Sequence, residues 1–163
     1  MSAIRSATLI HEGAGRFVAT TGGGRTVIWG DDAAANELSP METLATSLAA
    51  CSAMDVISIA LKKRQVITRY AIRVEAIQRD EYPRVLIEAT VTHEVEGPGV
   101  EEAAIRRSIE LSATKYCPVN ATISAGPCAV HHRYVVRNTS AAPFEAHGEV
   151  LVTGPYLRSD PVP

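Results

Sequence analysis

Apolar and polar positions change their period several times along the chain, and each change marks an element. Within residues 3–29, short apolar runs at 8–10, 17–19 and 26–29 are separated by Gly13, by Gly15 and by Gly22, Gly23 and Gly24. Glycine clusters between short apolar runs predict three strands joined by hairpin turns. Residues 30–38 are polar and read as a loop. Ser39, Pro40 and Glu42 then announce a helix: a capping serine, a proline suited to the first turn, and a glutamate three residues after the serine. The helix runs to the cationic stretch Lys62, Lys63 and Arg64, which suits a C-terminal turn. Between Glu42 and Asp55 no position is charged. A helix without a polar face needs cover on every side, so a second subunit is expected around it.

Period-two alternation follows. Over residues 68–77, Tyr70, Ile72, Val74 and Ala76 alternate with Arg69, Arg73 and Glu75. Over residues 85–96, Val85, Ile87, Ala89, Val91 and Val95 alternate with Glu88, Thr90, Thr92, Glu94 and Glu96. Two such segments predict an antiparallel pair with one dry face, turning at residues 80–83. Residues 99–116 return to helical spacing, with Ile105, Ile109 and Ala113 on one face. Pro118 ends that helix or opens a short one through Ser124, and a last strand is expected over 128–136. The order is therefore βββ-α-ββ-α-α-β, an α+β fold. One domain spans 1–137, and 138–163 form a proline-containing tail with one possible extra strand at 149–153.

Composition narrows the function. The chain of 163 residues suits one domain. Sixteen Lys and Arg against 18 Asp and Glu leave a formal charge of −2, which disfavours nucleic acid as a partner. Aromatics are 5% of residues against 46% hydrophobic, so the core is built from small and branched aliphatics. Residues 43–61 are long enough to cross a bilayer, but Asp55 and five hydroxyl side chains lie within them, and the reading is a soluble, cytoplasmic protein outside the membrane. Three cysteines are too few for a disulfide framework, and none forms a CxxC pair, so no metal and no cofactor is expected.

Two of the cysteines sit on helices. Cys117 directly precedes Pro118, so a helix N-terminus would lend it thiolate character. Cys51 lies deep in the long helix, with Asp55 one turn on opposing its ionisation, and taken alone it reads as core packing. His93 falls on the dry face of its strand, where it could line the site or, as the more common case, serve as a core or interface histidine. His131 and His132 point to opposite faces and cannot share a metal. Cys128 reads as an inert small hydrophobe. Asn120 and Asn138 each begin an Asn-x-Ser/Thr pattern, which has no role in a cytoplasmic protein.

The strings SPMETLATSLAACSAMDVISIALKK (39–63) and KYCPVNATIS (115–124) resemble the OsmC-like family. The resemblance covers residues 5–137, and the element order agrees with it. It implies an intertwined homodimer, with strands of both chains wrapped around central buried helices. It also implies kinship with the organic hydroperoxide resistance proteins, which are thiol peroxidases. By that analogy Cys51 attacks an organic hydroperoxide, Cys117 resolves the sulfenic acid as a disulfide, and an external dithiol restores both thiols. Peroxidase members carry an activating Glu directly after the proline; here that position is Met41, and Glu42 is offset by one. Arg16 best matches the activating arginine, with Arg25 second. The P-M-E form marks a less characterised branch. The alternative reading is a non-enzymatic dimer that binds a small molecule or lipid and whose cysteines respond to redox state.

Overall fold

The computed structural model describes residues 4–30 and 37–153, which divide into two units at Leu44. The loop expected at 30–38 falls mostly on residues outside that description, as does the end of the tail beyond 153.

In the N-terminal unit, β1 (Ala7–Gly13), β2 (Arg16–Thr21) and β3 (Thr26–Trp29) form an antiparallel sheet in chain order. Gly13, Ala14 and Gly15 all have positive φ at the β1–β2 turn, a backbone that glycine adopts without penalty. Trp29 Nε1 donates to Thr43 Oγ1 at 2.7 Å, tying β3 to the first turn of α1 (Pro40–Lys62). That helix begins as its sequence predicts. Glu42 N–H donates to Ser39 Oγ at 3.2 Å and Ser39 N–H to a Glu42 carboxylate oxygen at 2.8 Å, a reciprocal capping box. It ends with Arg64 in the left-handed region while the Gln65 amide closes onto Ala60 O at 3.1 Å.

In the second unit the strands β4 (Arg69–Gln78), β5 (Leu86–Gly97), β6 (Ala129–Asn138) and β7 (Phe144–Val152) form one sheet in the order β4-β5-β6-β7. The pairs β4·β5 and β6·β7 are antiparallel, whereas β5 and β6 run parallel. Such a parallel pair needs a long crossover. It is supplied by α2 (Glu102–Leu111), a π-helical turn (Ser112–Tyr116) and α3 (Pro118–Ser124). The core gathers Val56 and Ala60 of α1, Val95, Val100, Ile105, Ile109, Tyr134 and Val136.

Two local expectations change. Ile87 is exposed rather than on the dry face, because the β4·β5 register shifts between Ile77 and Gln78 and so turns Leu86 inward in its place. The helix expected over 99–116 stays α-helical only to Leu111 before widening into the π turn. In the tail, β7 begins at Phe144 and extends the sheet beyond β6. The long helix buries the stripe Leu48, Ala49, Ser52, Val56 and Ala60, while Met54 and Leu61 on its other side are exposed.

Candidate functional site

The second unit assembles a site from two directions. Helical spacing places Cys51 and Asp55 on one face of α1. Facing them, the π turn carries the chain into Cys117, whose N–H closes onto Ser112 O at 2.9 Å. π-Helical turns concentrate at functional sites because they re-aim the side chains beside them. Cys117 is the N-cap of α3, with Pro118 at the first helical position, and its Sγ accepts the Asn120 N–H at 3.3 Å. The Cys51 Sγ, the Cys117 Sγ and an Asp55 carboxylate oxygen all lie within 4.8 Å of one another. All three cysteines of the chain are free thiols. Ser112 Oγ donates to Asp55 Oδ2 at 3.1 Å, which fixes that carboxylate.

Burial decides the protonation of Cys117. Its pKa is pushed up to about 12, first by loss of solvation and then by the hydrogen bond and charge of Cys51. The amides of Asn120 and Val119 act the other way but lose to burial. The thiolate character expected from a helix N-terminus is therefore overturned, and Cys117 is held as a thiol. Its partner Cys51 is half-buried.

Behind Cys117 runs a buried polar chain that links three strands to α3. Tyr70 Oη lies 2.7 Å from His93 Nδ1, His93 Nε2 lies 3.3 Å from His132 Nδ1, and His132 Nε2 lies 3.0 Å from Asn120 Oδ1. Asn120 Nδ2 donates onward to Ala113 O at 2.9 Å. Burial lowers the pKa of both histidines, so each ring is neutral and carries one proton. Every direction follows from that count. The Asn120 oxygen accepts, so His132 donates from Nε2 and accepts at Nδ1. His93 then donates from Nε2, and Tyr70 donates to His93.

Two recesses share Tyr116 in their lining. Cys117 lines one of about 440 Å³ with Lys115, Pro118 and Thr122. Asp55 lines the other, of about 320 Å³, with Ser58, Lys62 and Leu111.

The remaining sequence candidates have surroundings of their own. Arg16, in the N-terminal unit, pairs with Glu12 at 3.2 Å and Glu37 at 3.4 Å. Arg25 is exposed in the β2–β3 turn, and Glu42 is engaged in the α1 cap. His131, across the sheet from His132, meets Glu149 at 2.6 Å, and Cys128 is buried with its thiol directed to a backbone carbonyl. Reading the sequence alone missed Ser112 and Asn120. Asn120 sits three residues after Cys117, the spacing at which a backbone amide meets a capping side chain, and that was the available signal.

The sequence model of the OsmC-like protein family matches residues 30–132, more than half of the chain. The chain belongs to the OsmC-like family. The protein YhfA of Escherichia coli is 29% identical over 120 residues, covering 74% of this chain and 90% of YhfA. A hypothetical protein from Aquifex aeolicus superimposes with a TM-score of 0.72 at 26% identity, over 83% of this chain and 97% of that one. An organic hydroperoxide resistance protein from Elizabethkingia anophelis has the same fold, with a TM-score of 0.63 at 14% identity, over 85% and 99% of the two chains. The OsmC-like match takes in Cys51, Asp55, Cys117, Asn120 and His132, whereas Arg16 and β7 lie outside it.

Proposed function

We propose that this OsmC-like protein is a thiol peroxidase that reduces organic hydroperoxides. The observation that carries the reading is the approach of the Cys51 and Cys117 sulfurs within 4.8 Å, both as free thiols. Cys51, the less buried of the two, attacks as thiolate. Its sulfur bonds to the terminal oxygen of the hydroperoxide as the O–O bond breaks, giving a sulfenic acid and an alcohol once the alkoxide takes a proton. Cys117 then displaces the hydroxyl. Its own proton leaves with that oxygen as water, and the Cys51–Cys117 disulfide forms. An external dithiol, the reductant, is oxidised in turn and restores both thiols. Family membership and the hydroperoxide resistance protein among the structural neighbours support the same chemistry. Arg16 and Glu42 enter this reading as the activators implied by family resemblance. We assign the protein to the cytoplasm as a homodimer.

Consumption of cumene hydroperoxide with dithiothreitol tests it. Cys51→Ser abolishes turnover, and Cys117→Ser allows one oxidation before stalling. If both variants run as fast as the parent, the reading fails. One observation favours the alternative of a non-enzymatic small-molecule or lipid-binding dimer: Met41 stands directly after Pro40, and the neighbouring Glu42 carboxylate is held by Ser39. Thiol titration separates the two. Loss of two thiols per chain after a stoichiometric hydroperoxide, far faster than free cysteine, marks the enzyme, and loss at the free-cysteine rate marks the binding protein.

A further inference from the structure

The third member of the cluster, Asp55, has no part in the peroxidase steps. Two thiolates and a carboxylate brought together in this way become mutually favourable around a divalent cation. We propose that Cys51, Asp55 and Cys117 form a three-ligand site for Zn²⁺ in the reduced protein, with the fourth position open.

Four observations point the same way. Two ligands one helical turn apart on α1 are closed by a third from a different element, and their donor atoms already lie within 4.8 Å of one another. Sulfurs bound tetrahedrally to zinc sit about 3.8 Å apart, from bonds of about 2.3 Å, so loading requires a contraction of about 1 Å or less. Each outer ligand has a supporting hydrogen bond, from Ser112 to Asp55 and from the Asn120 amide to Cys117, of the kind that orients metal ligands. Cys117 and Asp55 each line a recess, so two of the three ligands stand at the edge of open space. Two sulfurs with one carboxylate oxygen select zinc over magnesium or calcium, which require oxygen-rich shells. Binding is balanced by release of one proton from each thiol.

The inference does not depend on peroxidase turnover and is tested without hydroperoxide. Reduced protein under anaerobic conditions is titrated with Co²⁺ as the optical probe, and Zn²⁺ is measured by competition with a chromophoric chelator. One equivalent of Co²⁺ should give a sulfur-to-cobalt charge-transfer band, with about two protons released per metal. Cys51→Ser and Cys117→Ser should each weaken the band, Asp55→Asn should lower Zn²⁺ affinity by tenfold or more, and Ser112→Ala by about tenfold. Wild-type protein oxidised with diamide should lose the metal, an arm that needs no variant to fold. Absence of the charge-transfer band in the wild type, or unchanged affinity in correctly folded Asp55→Asn, would overturn the site.

Discussion

Asn120 does more than any other single residue near the cysteines. Its backbone amide donates to the Sγ of the N-cap Cys117, its side-chain nitrogen donates to Ala113 O, and its oxygen accepts from His132. Asn120→Ala strips partners from a buried ring and a buried carbonyl, at a cost of about 1–3 kcal/mol for each. A urea midpoint shifted well below that of the parent checks this. The histidines behind it make a second prediction. Both are neutral when folded, whereas an unfolded histidine titrates near pH 6.5. Folded values below unfolded ones mean that the stability they confer is complete above about pH 6.5 and declines as pH falls. The decline continues until His132 protonates at about 4 and His93 at about 3. The paired carboxylates Glu42, Glu110, Glu145 and Glu149 add their own losses only below their ordinary value of 4.5. Between pH 6.5 and 4.5, therefore, unfolding should take up protons in excess of those of a His93→Gln, His132→Gln variant, as measured by urea denaturation at several pH values. Period-two alternation was enough to put His93 on a dry face. It could not show that the ring meets His132, because that contact is made across the parallel β5·β6 pair, and strand direction leaves no mark on alternation.

Elements were more legible than their pairing. The capping box of α1 could be read from Ser39 and Glu42 because both partners lie within one helical turn, and Ser39→Ala should cost about 1 kcal/mol in thermal denaturation. The π turn was not legible, since residues 112–116 keep a helical spacing while their hydrogen bonds lengthen by one residue. The start of β7 at Phe144 was hidden by a strand that alternates weakly at a sheet edge. That strand is nevertheless locked in place. Gly148 pairs with Tyr134, and a Cβ there would collide with the Tyr134 hydroxyl and ring. The same hydroxyl donates to Glu102 at the start of α2. Gly148→Ala must therefore push the ring away and loosen strand and helix together, at about 1–3 kcal/mol. Tyr134→Phe, which removes only the hydroxyl, should cost about 1 kcal/mol. Equal losses in the two variants would place the effect in the hydrogen bond rather than in packing.

At the scale of the whole molecule, α1 keeps large apolar side chains exposed beside its buried stripe. The most apolar 18-residue stretch of α1 is long enough to cross a bilayer, yet only 28% of it is buried. Met54 is 72% exposed and Leu61 56%, and in the N-terminal unit Ile10 is 64% exposed. The buried stripe from Leu48 to Ala60 packs into this chain's own fold, and Asp55 is bonded to Ser112, so α1 is a core helix with open faces. Large contiguous apolar patches are a common mark of association sites on protein surfaces. The proposed homodimer covers these open faces with a second copy, in keeping with the expectation that a helix uncharged between Glu42 and Asp55 needs a partner around it. Light scattering coupled to size exclusion should then give twice the chain mass of 17.4 kDa, and the melting temperature should rise with protein concentration. Met54→Glu places a charge on the open face without touching the buried stripe. It should shift the mass toward one chain and remove the concentration dependence, while circular dichroism reports that the helices persist. A parent that runs at one chain mass, with a melting temperature independent of concentration, would mean that these faces of α1 meet water, and the second copy would have to be abandoned.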